Sequence, residues 1–289
     1  MQTNTRPQPL NIANKLPAFR FYLIAGLFIG CSLVTYGQQW KLSWSDDFNG
    51  AAGQAVDSAK WSHETGGSGF GNKELQFYTT GVENSSLDGK GHLVIKALAE
   101  ANPDKKCWYG PCLYTSARLT TRNSLAQTYG RFEARMKLPA GEGVWPAFWM
   151  LGNNIRNGGW PACGEIDIME NIGREPSVVH GTIHGPGYSG KGSIGGPFEF
   201  RNKRKFADDF HVFAVEWEPE KIRWYVDDVL YETRTPTDLP NGTHWVYDHS
   251  FFVILNLAIG GAWPGSPNKD AVFPKTMLVD YVRVYERAP

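Results

Sequence analysis

What the sequence lacks narrows its class before any motif is considered. Its 289 residues contain no internal repeat, no segment with the composition of a linker, and no helical periodicity longer than about two turns. No spacing of Cys and His indicates a zinc site, and 29 basic residues are balanced by 29 acidic ones. Without a basic field, binding to nucleic acid is not expected. Apart from its N-terminal segment, the chain is predicted to form a single domain of about 250 residues.

The N-terminal segment, residues 1–37, has the pattern of a secretory signal peptide. Three basic and no acidic residues come first, an apolar run covers residues 21–34, and small residues lie at Thr35 and Gly37. The run is shorter than the ~20 apolar residues that span a bilayer. Cleavage after Gly37 would start the mature chain, residues 38–289, at Gln38 with 26 basic and 29 acidic residues. We therefore expect a secreted protein, extracellular or periplasmic, with a monomer as the default state.

Two alternatives for this segment stay open. It could remain as an uncleaved membrane anchor, or Cys31 could be the lipid-modified cysteine of a lipoprotein. The residues before Cys31 fit the lipoprotein pattern poorly. The mature form is expected to have no membrane attachment unless it is lipid-anchored at Cys31.

Three cysteines follow the leader. Cys107 and Cys112 bracket a loop of four residues, and an oxidising compartment would permit them to form a disulfide. Cys163 would then be unpaired. Cys163 lies beside residues 165–170, a segment in which acidic and large apolar residues are mixed. We therefore expect its side chain to be buried as a small apolar group and not to be a reactive thiol.

From Trp40 onward the sequence has the pattern of an antiparallel β-sandwich. Short segments rich in apolar residues are separated by Gly, Pro, Asn and Asp. Residues 131–138 and 222–227 alternate apolar and polar side chains, as in strands with one buried face, whereas residues 251–259 are almost wholly apolar. Residues 219–220 suit a hairpin turn, and one helical turn is predicted near residues 203–209. Strands of this number and spacing favour a jelly roll.

The segment EIDIME at residues 165–170 carries three carboxylates separated by large apolar side chains. In a strand, Glu165 and Asp167 would face one way while Ile166 and Ile168 enter a core. Glu170 has the wrong parity unless Met169 is absorbed by a β-bulge, which would bring all three carboxylates to one face. Such a group suits glycoside hydrolysis, in which one carboxylate attacks and a protonated one donates. A solvated edge strand or a calcium site is the alternative.

Several motifs, in order along the chain, carry a resemblance to glycoside hydrolase family 16, and to its bacterial laminarinase (endo-1,3-β-glucanase) branch. The resemblance covers nearly everything after residue 40. The motifs are GNKELQFY at 71–78, YTSARL at 114–119, WPAFWMLG at 145–152, WPAC at 160–163, EIDIME at 165–170, LNLAIGG at 255–261 and VDYVRVY at 279–285.

The resemblance implies a fold and a set of site residues. The fold would be all-β, an antiparallel β-sandwich of the concanavalin-like jelly-roll type with a concave glycan-binding cleft. Glu165 would be the nucleophile, Glu170 the general acid and base, and Asp167 the neighbour that tunes protonation. His184 resembles a cleft histidine close to the acid/base residue. The other substrate-binding positions would be Asn72, Glu74, Arg118, Trp145, Trp149, Trp160 and Trp263.

For several of these residues a structural role competes. A salt bridge is an equal alternative for Arg118, and core packing is the ordinary role of a single Trp. Trp40, Trp44, Trp217 and Trp224 are assigned to the core, while Trp61, Trp108 and Trp245 stay open. The resemblance also implies a structural calcium, although none is needed for catalysis, held by Asp47, the carbonyl of Gly91 and Asp280.

The sequence therefore predicts a secreted, retaining endo-β-1,3-glucanase whose partner is a laminarin-like β-1,3-glucan. One alternative keeps the chemistry but changes the substrate to lichenan, agar or carrageenan. The other is a non-catalytic β-glucan-binding protein on the same scaffold.

Overall fold

The structure is a computed structural model that describes residues 1–2 and 40–288. Residues 40–288 belong to one compact unit. The predicted signal peptide and Cys31 lie outside the described residues. The strands are β1 Trp40–Asp46, β2 Ser62–His63, β3 Gln76–Tyr78, β4 Ser85–Leu87, β5 Leu93–Cys107, β6 Gly110–Ser116, β7 Arg118–Thr120, β8 Gly130–Lys137, β9 Val144–Gly152, β10 Glu165–Glu170, β11 Val178–His184, β12 Ile194–Glu199, β13 His211–Glu218, β14 Lys221–Val226, β15 Val229–Arg234, β16 Phe251–Ile259 and β17 Lys275–Arg287.

These strands form two sheets. The larger sheet has the order β15-β14-β13-β8-β17-β5-β6-β3, with β1 also paired to β17 and β4 to β5. The smaller sheet has the order β12-β11-β10-β9-β16-β7-β2. All pairings between these strands are antiparallel except β3 with β6, which is parallel. The predicted all-β sandwich is confirmed, and the acidic strand β10 lies inside the smaller sheet.

The core lies between the sheets and follows from the alternation of side chains. In β8 and β14 every second residue is fully or almost fully buried, as predicted. All nine residues of β16 are buried, because β16 is a central strand covered on both faces. Glu220 has a φ of 57° in the predicted turn, which joins β13 to β14. The spacing of apolar residues therefore predicted these strands correctly.

Three local expectations need correction or completion. Residues 203–209 form turns and not a helix. One turn of α-helix, α1, lies at Ile155–Gly158, and 3₁₀ turns lie at Gly190–Gly192 and Pro236–Asp238. Trp217 and Trp224 are fully buried and Trp44 packs against the core, but Trp40 is only partly buried and lies outside the core cluster. Trp61 joins the core, while Trp108 is half-exposed.

The cysteines follow the prediction. Cys107 and Cys112 form a disulfide with a Cα–Cα distance of 5.1 Å, and Cys163 is free and buried. Among the described residues, no helix is long and apolar enough to cross a membrane.

Candidate active site

A β-bulge in β10 brings the three carboxylates to the same face. Against β11, Asp167 pairs with Thr182 and Glu170 with His180, so two residues of β10 oppose one of β11. The register against β9 shifts between Asp167 and Met169 as well. Ile168 and Met169 are both buried, which is why the sheet accepts an extra residue here. The predicted bulge is confirmed, and Glu170 faces the cleft.

The opposite sheet holds the bulge in place. The indole Nε1 of Trp224, on β14, donates a buried hydrogen bond of 2.7 Å to the carbonyl of Asp167. A Cβ on Gly181 would lie 2.4 Å from Cδ1 of Trp224, so the glycine leaves room for this ring. A buried carbonyl without a donor is costly, and the core tryptophan satisfies it. This hydrogen bond thus links the conformation of the bulged strand β10 to the packing of the core.

The outer face of the smaller sheet lines a cleft of about 820 Å³. The predicted catalytic and substrate-binding residues all line it. They are Asn72, Glu74, Arg118, Trp145, Trp149, Trp160, Glu165, Asp167, Glu170, His184 and Trp263.

Glu165 lies in the cleft between two nitrogen-bearing rings. Trp160 Nε1 donates to its Oε2 at 2.9 Å, and His184 Nε2 lies 3.6 Å from its Oε1. Burial, followed by the charge of Asp167, raises the pKa of Glu165 to about 8, while His184 and the Trp160 hydrogen bond act in the opposite direction. These two groups favour the ionised form that a nucleophile needs.

Glu170 has fewer groups that stabilise its charge. Trp145 Nε1 donates to its Oε1 at 3.0 Å. Burial, and then the neighbouring charge of Asp167, raise the pKa of Glu170 well above its usual value. A carboxyl that stays protonated near neutral pH can act as a general acid. The environments of Glu165 and Glu170 therefore separate the two roles.

Asp167 is 3% exposed, and its Oδ2 has no hydrogen-bond donor. His184 Nε2 lies 3.1 Å from this oxygen, close enough for an ion pair but without the alignment of a hydrogen bond. Burial accordingly raises the pKa of Asp167 to about 8. Glu165, Asp167 and Glu170 form one electrostatically coupled group.

His184 lies in the cleft on β11, next to the acidic strand. Its neighbours are Glu165 and Asp167, whereas the residue opposite Glu170 is His180. The charge of His184 also lowers the pKa of Glu170, against the larger effects of burial and Asp167, and its role beside the acid/base residue stays a prediction. The backbone N–H of Gly190 donates to His184 Nδ1 at 3.1 Å, so in the neutral ring the proton is on Nε2, which faces the carboxylates.

The ligating atoms of Glu165, Asp167 and His184 lie within 4.8 Å of one another, a spacing that could suit a metal. With Nδ1 of His184 occupied as an acceptor, Nε2 carries a proton and is not a free lone pair. The three side chains thus form a polar group of the reaction site, and no catalytic metal is inferred from them.

Arg118 and Trp149 form one unit on the cleft floor. The Arg118 side chain is 11% exposed and makes an ion pair with Glu64, and its guanidinium lies 4.7 Å from the centre of the Trp149 ring and 5.0 Å from that of Phe70. Arg118 therefore combines the two predicted roles, since it is ion-paired and also lines the cleft. One region of the Trp149 ring is covered by the guanidinium, which limits the area left for a sugar.

Glu74 is buried in a hydrogen-bond network and is not an open contact group. Its carboxylate accepts from Gln76 Nε2 at 2.6 Å, Tyr78 OH at 3.1 Å and Asn72 Nδ2 at 3.5 Å. Burial raises its pKa, and these donors counteract the rise. Glu74 thus fixes the segment that presents Asn72 to the cleft.

Asn256 is a cleft residue that the sequence analysis did not single out. Its Oδ1 accepts from Trp149 Nε1 at 2.7 Å, and its Nδ2 donates to Tyr78 OH at 3.2 Å. The signal was available, since Asn256 is the only polar residue in the apolar strand β16. A lone amide in such a strand indicates a buried polar network.

The positions expected to hold calcium meet along β17. Strand β1 ends with Asp46 opposite Val282, and β5 begins with Leu93 opposite Val279, so Asp47, Gly91 and Asp280 all lie near this junction. Their oxygens are of the type that calcium prefers. Arg283 and Arg135 already bind one oxygen of Asp47 and of Asp280, at 2.7 and 2.6 Å. The calcium site stays a prediction.

Comparison with known proteins agrees with this site. The model of the family described as glycosyl hydrolases family 16 matches residues 71–283. The chain belongs to glycosyl hydrolase family 16. It is 42% identical over 281 residues to a β-glucanase of Rhodothermus marinus, covering 92% of this chain and 94% of that protein.

Solved family 16 structures share its fold. The laminarinase catalytic domain of Thermotoga maritima is 45% identical with a TM-score of 0.81, covering 87% of this chain and 100% of that one. The endo-β-1,3-glucanase of Pyrococcus furiosus is 46% identical with a TM-score of 0.81, covering 88% and 97%. The resemblance to the laminarinase branch is confirmed, and the protein is a glycoside hydrolase with the family 16 jelly roll.

Proposed function

We propose that this family 16 enzyme is a secreted, retaining endo-β-1,3-glucanase that cuts laminarin-like polysaccharides. The observation that carries the proposal is the bulged strand β10, which turns Glu165, Asp167 and Glu170 into one cleft. The relatives named laminarinase or endo-β-1,3-glucanase support the choice of substrate.

In the first step Glu165 attacks the anomeric carbon, and the bond to the leaving oxygen breaks. Glu170 gives its proton to that oxygen, so the departing chain leaves as a neutral alcohol. The product is a glycosyl ester on Glu165. The indole N–H of Trp160 and the Nε2 side of His184 stabilise the Glu165 carboxylate before attack.

In the second step Glu170, now ionised, removes a proton from water. The resulting nucleophile attacks the anomeric carbon from the opposite side and releases Glu165. Two inversions give net retention. Asp167, between them in sequence and buried, raises the pKa of Glu170 whenever it is ionised and so favours a proton on that carboxyl.

The test is reducing-sugar release with product sizing on laminarin, lichenan, carboxymethyl-cellulose and agarose. We expect laminarin to be cut to short oligosaccharides, with the β-anomer as the first product by NMR. Faster cleavage of lichenan or agarose would assign another substrate. Binding of laminarin without cleavage of any of the four would identify a glucan-binding protein, and an α-anomeric first product would exclude retention.

We also propose export through the N-terminal segment, on the basis of its charge and apolar run. After expression in a bacterial host, N-terminal sequencing of the exported protein is expected to begin at Gln38. A chain that begins with an acylated Cys31 would establish the lipoprotein alternative, and an intact N-terminus in the membrane fraction would establish the anchor.

A further inference from the structure

The disulfide hairpin formed by the end of β5 and the start of β6 packs behind the cleft segment, residues 66–75. Trp108 N–H donates to the carbonyl of Gly67 at 2.8 Å, and Trp108 Nε1 donates to the carbonyl of Glu74 at 2.7 Å. Tyr109 OH donates to the carbonyl of Leu75 at 2.6 Å. Both ends of the cleft segment are therefore tied to the hairpin.

The Trp108 side chain is 50% exposed although its indole N–H is bonded. Part of the ring lies on Gly69, where a Cβ would be only 2.8 Å from Cδ1 of Trp108. Gly69 has a φ of 80°, so both its conformation and this close approach favour glycine. The indole thus lies flush on the segment and presents the rest of its surface to solvent.

The Trp108 ring lies against the segment that lines one part of the cleft. Three consecutive residues of the segment line the cleft, namely Phe70, Gly71 and Asn72. The residue before them, Gly69, contacts the Trp108 ring. The segment lies at the end of β16, since Leu75 N–H donates to the carbonyl of Ile259 at 2.7 Å and Ala262 N–H donates to that of Asn72 at 2.8 Å. Strand β16 is two strands from β10, which is roughly 10 Å at about 4.8 Å per strand. A polysaccharide that crosses the sheet from β10 past Arg118 and Asn72 would reach Trp108 next.

We propose that Trp108 is a distal binding site for the glucan chain, one that contacts sugar units beyond those held in the cleft. The proposal rests on the proposed function for its ligand, a β-1,3-glucan. The apolar face of a pyranose would stack on the exposed indole, while the hydrogen bonds and the disulfide hold the ring in place before binding. Little conformational freedom is then lost when the chain binds.

The test is calorimetric binding of laminariheptaose and laminaritriose to the Glu165→Gln protein, with and without Trp108→Ala. Only the longer ligand can span the cleft and reach Trp108. We expect Trp108→Ala to raise the Kd of the heptaose by about three- to tenfold and to leave that of the triose within twofold. Leu113→Ala is the matched control, since Leu113 is 51% exposed and lies on the same hairpin.

A second variant separates stacking from a supporting role. Trp108→Phe keeps an aromatic face but loses the hydrogen bond to Glu74, so it should retain most of the heptaose affinity if stacking matters. Two results would show that Trp108 only supports the cleft segment, and either would overturn the proposal. One is an equal loss of affinity for the triose and the heptaose, and the other is a heptaose affinity of Trp108→Phe as weak as that of Trp108→Ala. An unchanged heptaose Kd would overturn it too.

Because binding is measured without hydrolysis, failure of the two proposals can be told apart. Heptaose binding that depends on Trp108, in a protein that does not cut laminarin, would retain the distal site and remove the enzymatic assignment. Laminarin cleavage with heptaose binding independent of Trp108 would do the reverse.

Discussion

At the scale of single residues, the two proposed catalytic glutamates each accept a hydrogen bond from a tryptophan. Trp160 donates to Glu165 and Trp145 donates to Glu170. These indoles were expected to be sugar platforms, and they also fix the carboxylates. Trp145, on β9, in turn packs perpendicular to Trp263 with the ring centres 5.5 Å apart, so a strand residue orients a loop residue. The aromatic residues of the cleft therefore have structural and binding roles together.

Replacing either glutamate by glutamine should separate chemistry from folding. Glu165→Gln loses the nucleophile and Glu170→Gln loses the transferable proton, so we expect kcat on laminarin to fall by about 10²–10⁴-fold or more. The melting temperature should not decrease, because the amide keeps the shape of the side chain. Glu142→Gln, an exposed glutamate, is the control with full activity.

The two glutamates should also differ in chemical rescue. Azide can replace the water that Glu170 activates, so it should restore turnover of an aryl glucoside by Glu170→Ala and give a β-glycosyl azide. Glu165→Ala cannot form the covalent glycosyl-enzyme that azide attacks in this route, so the β-glycosyl azide should not form. If Glu165→Ala gave the β-glycosyl azide and Glu170→Ala did not, the roles of nucleophile and acid/base would be exchanged between the two glutamates.

At the scale of elements, the bulge in β10 depends on a strand of the other sheet. Trp224→Phe removes the donor to the Asp167 carbonyl and should lower the free energy of unfolding by about 1–3 kcal/mol. It should also lower kcat by about tenfold or more, because a small displacement of Glu170 spoils its geometry.

Trp217→Phe is the matched control for this effect. Trp217 is also fully buried and donates from Nε1 to a backbone carbonyl, that of Tyr247, at 3.1 Å. We expect a similar loss in urea unfolding with kcat nearly unchanged. An equal loss of kcat in both variants would mean that Trp224 acts only through general stability.

At the scale of the whole molecule, the acidic cluster makes stability depend on pH. Burial raises the pKa of Asp167 from its unfolded value near 3.9 to about 8, so the folded state binds this proton more tightly. The resulting stabilisation is complete below about pH 4 and is lost as the pH rises through 8. The cleft carboxylates therefore destabilise the fold at alkaline pH.

Asp167→Asn should remove this dependence. In urea unfolding the variant should match the wild type near pH 4 and exceed it by at least about 1 kcal/mol at pH 8. Asp270→Asn, in an exposed loop, should follow the wild type at both values. A constant difference between Asp167→Asn and wild type across this range would contradict the linkage.

Much of the fold was predictable because strand patterning is local. The alternation in β8 and β14 and the apolar run of β16 report burial on one or two faces, and tertiary packing did not override them. The predicted helical turn near residue 203 failed, since a few polar residues in a loop carry no periodicity. The place of each strand in its sheet was not predictable, because pairing joins residues far apart in sequence.

By itself the sequence determined the class of chemistry, because three carboxylates on an apolar strand have few uses, and even the bulge followed from their parity. The tertiary structure decided which groups surround each carboxylate. His184 lies within ion-pair distance of both Glu165 and Asp167, and Trp224 reaches the bulge from the other sheet. Contacts of this kind depend on the register between strands and on packing across the core, and no local pattern of residues encodes them.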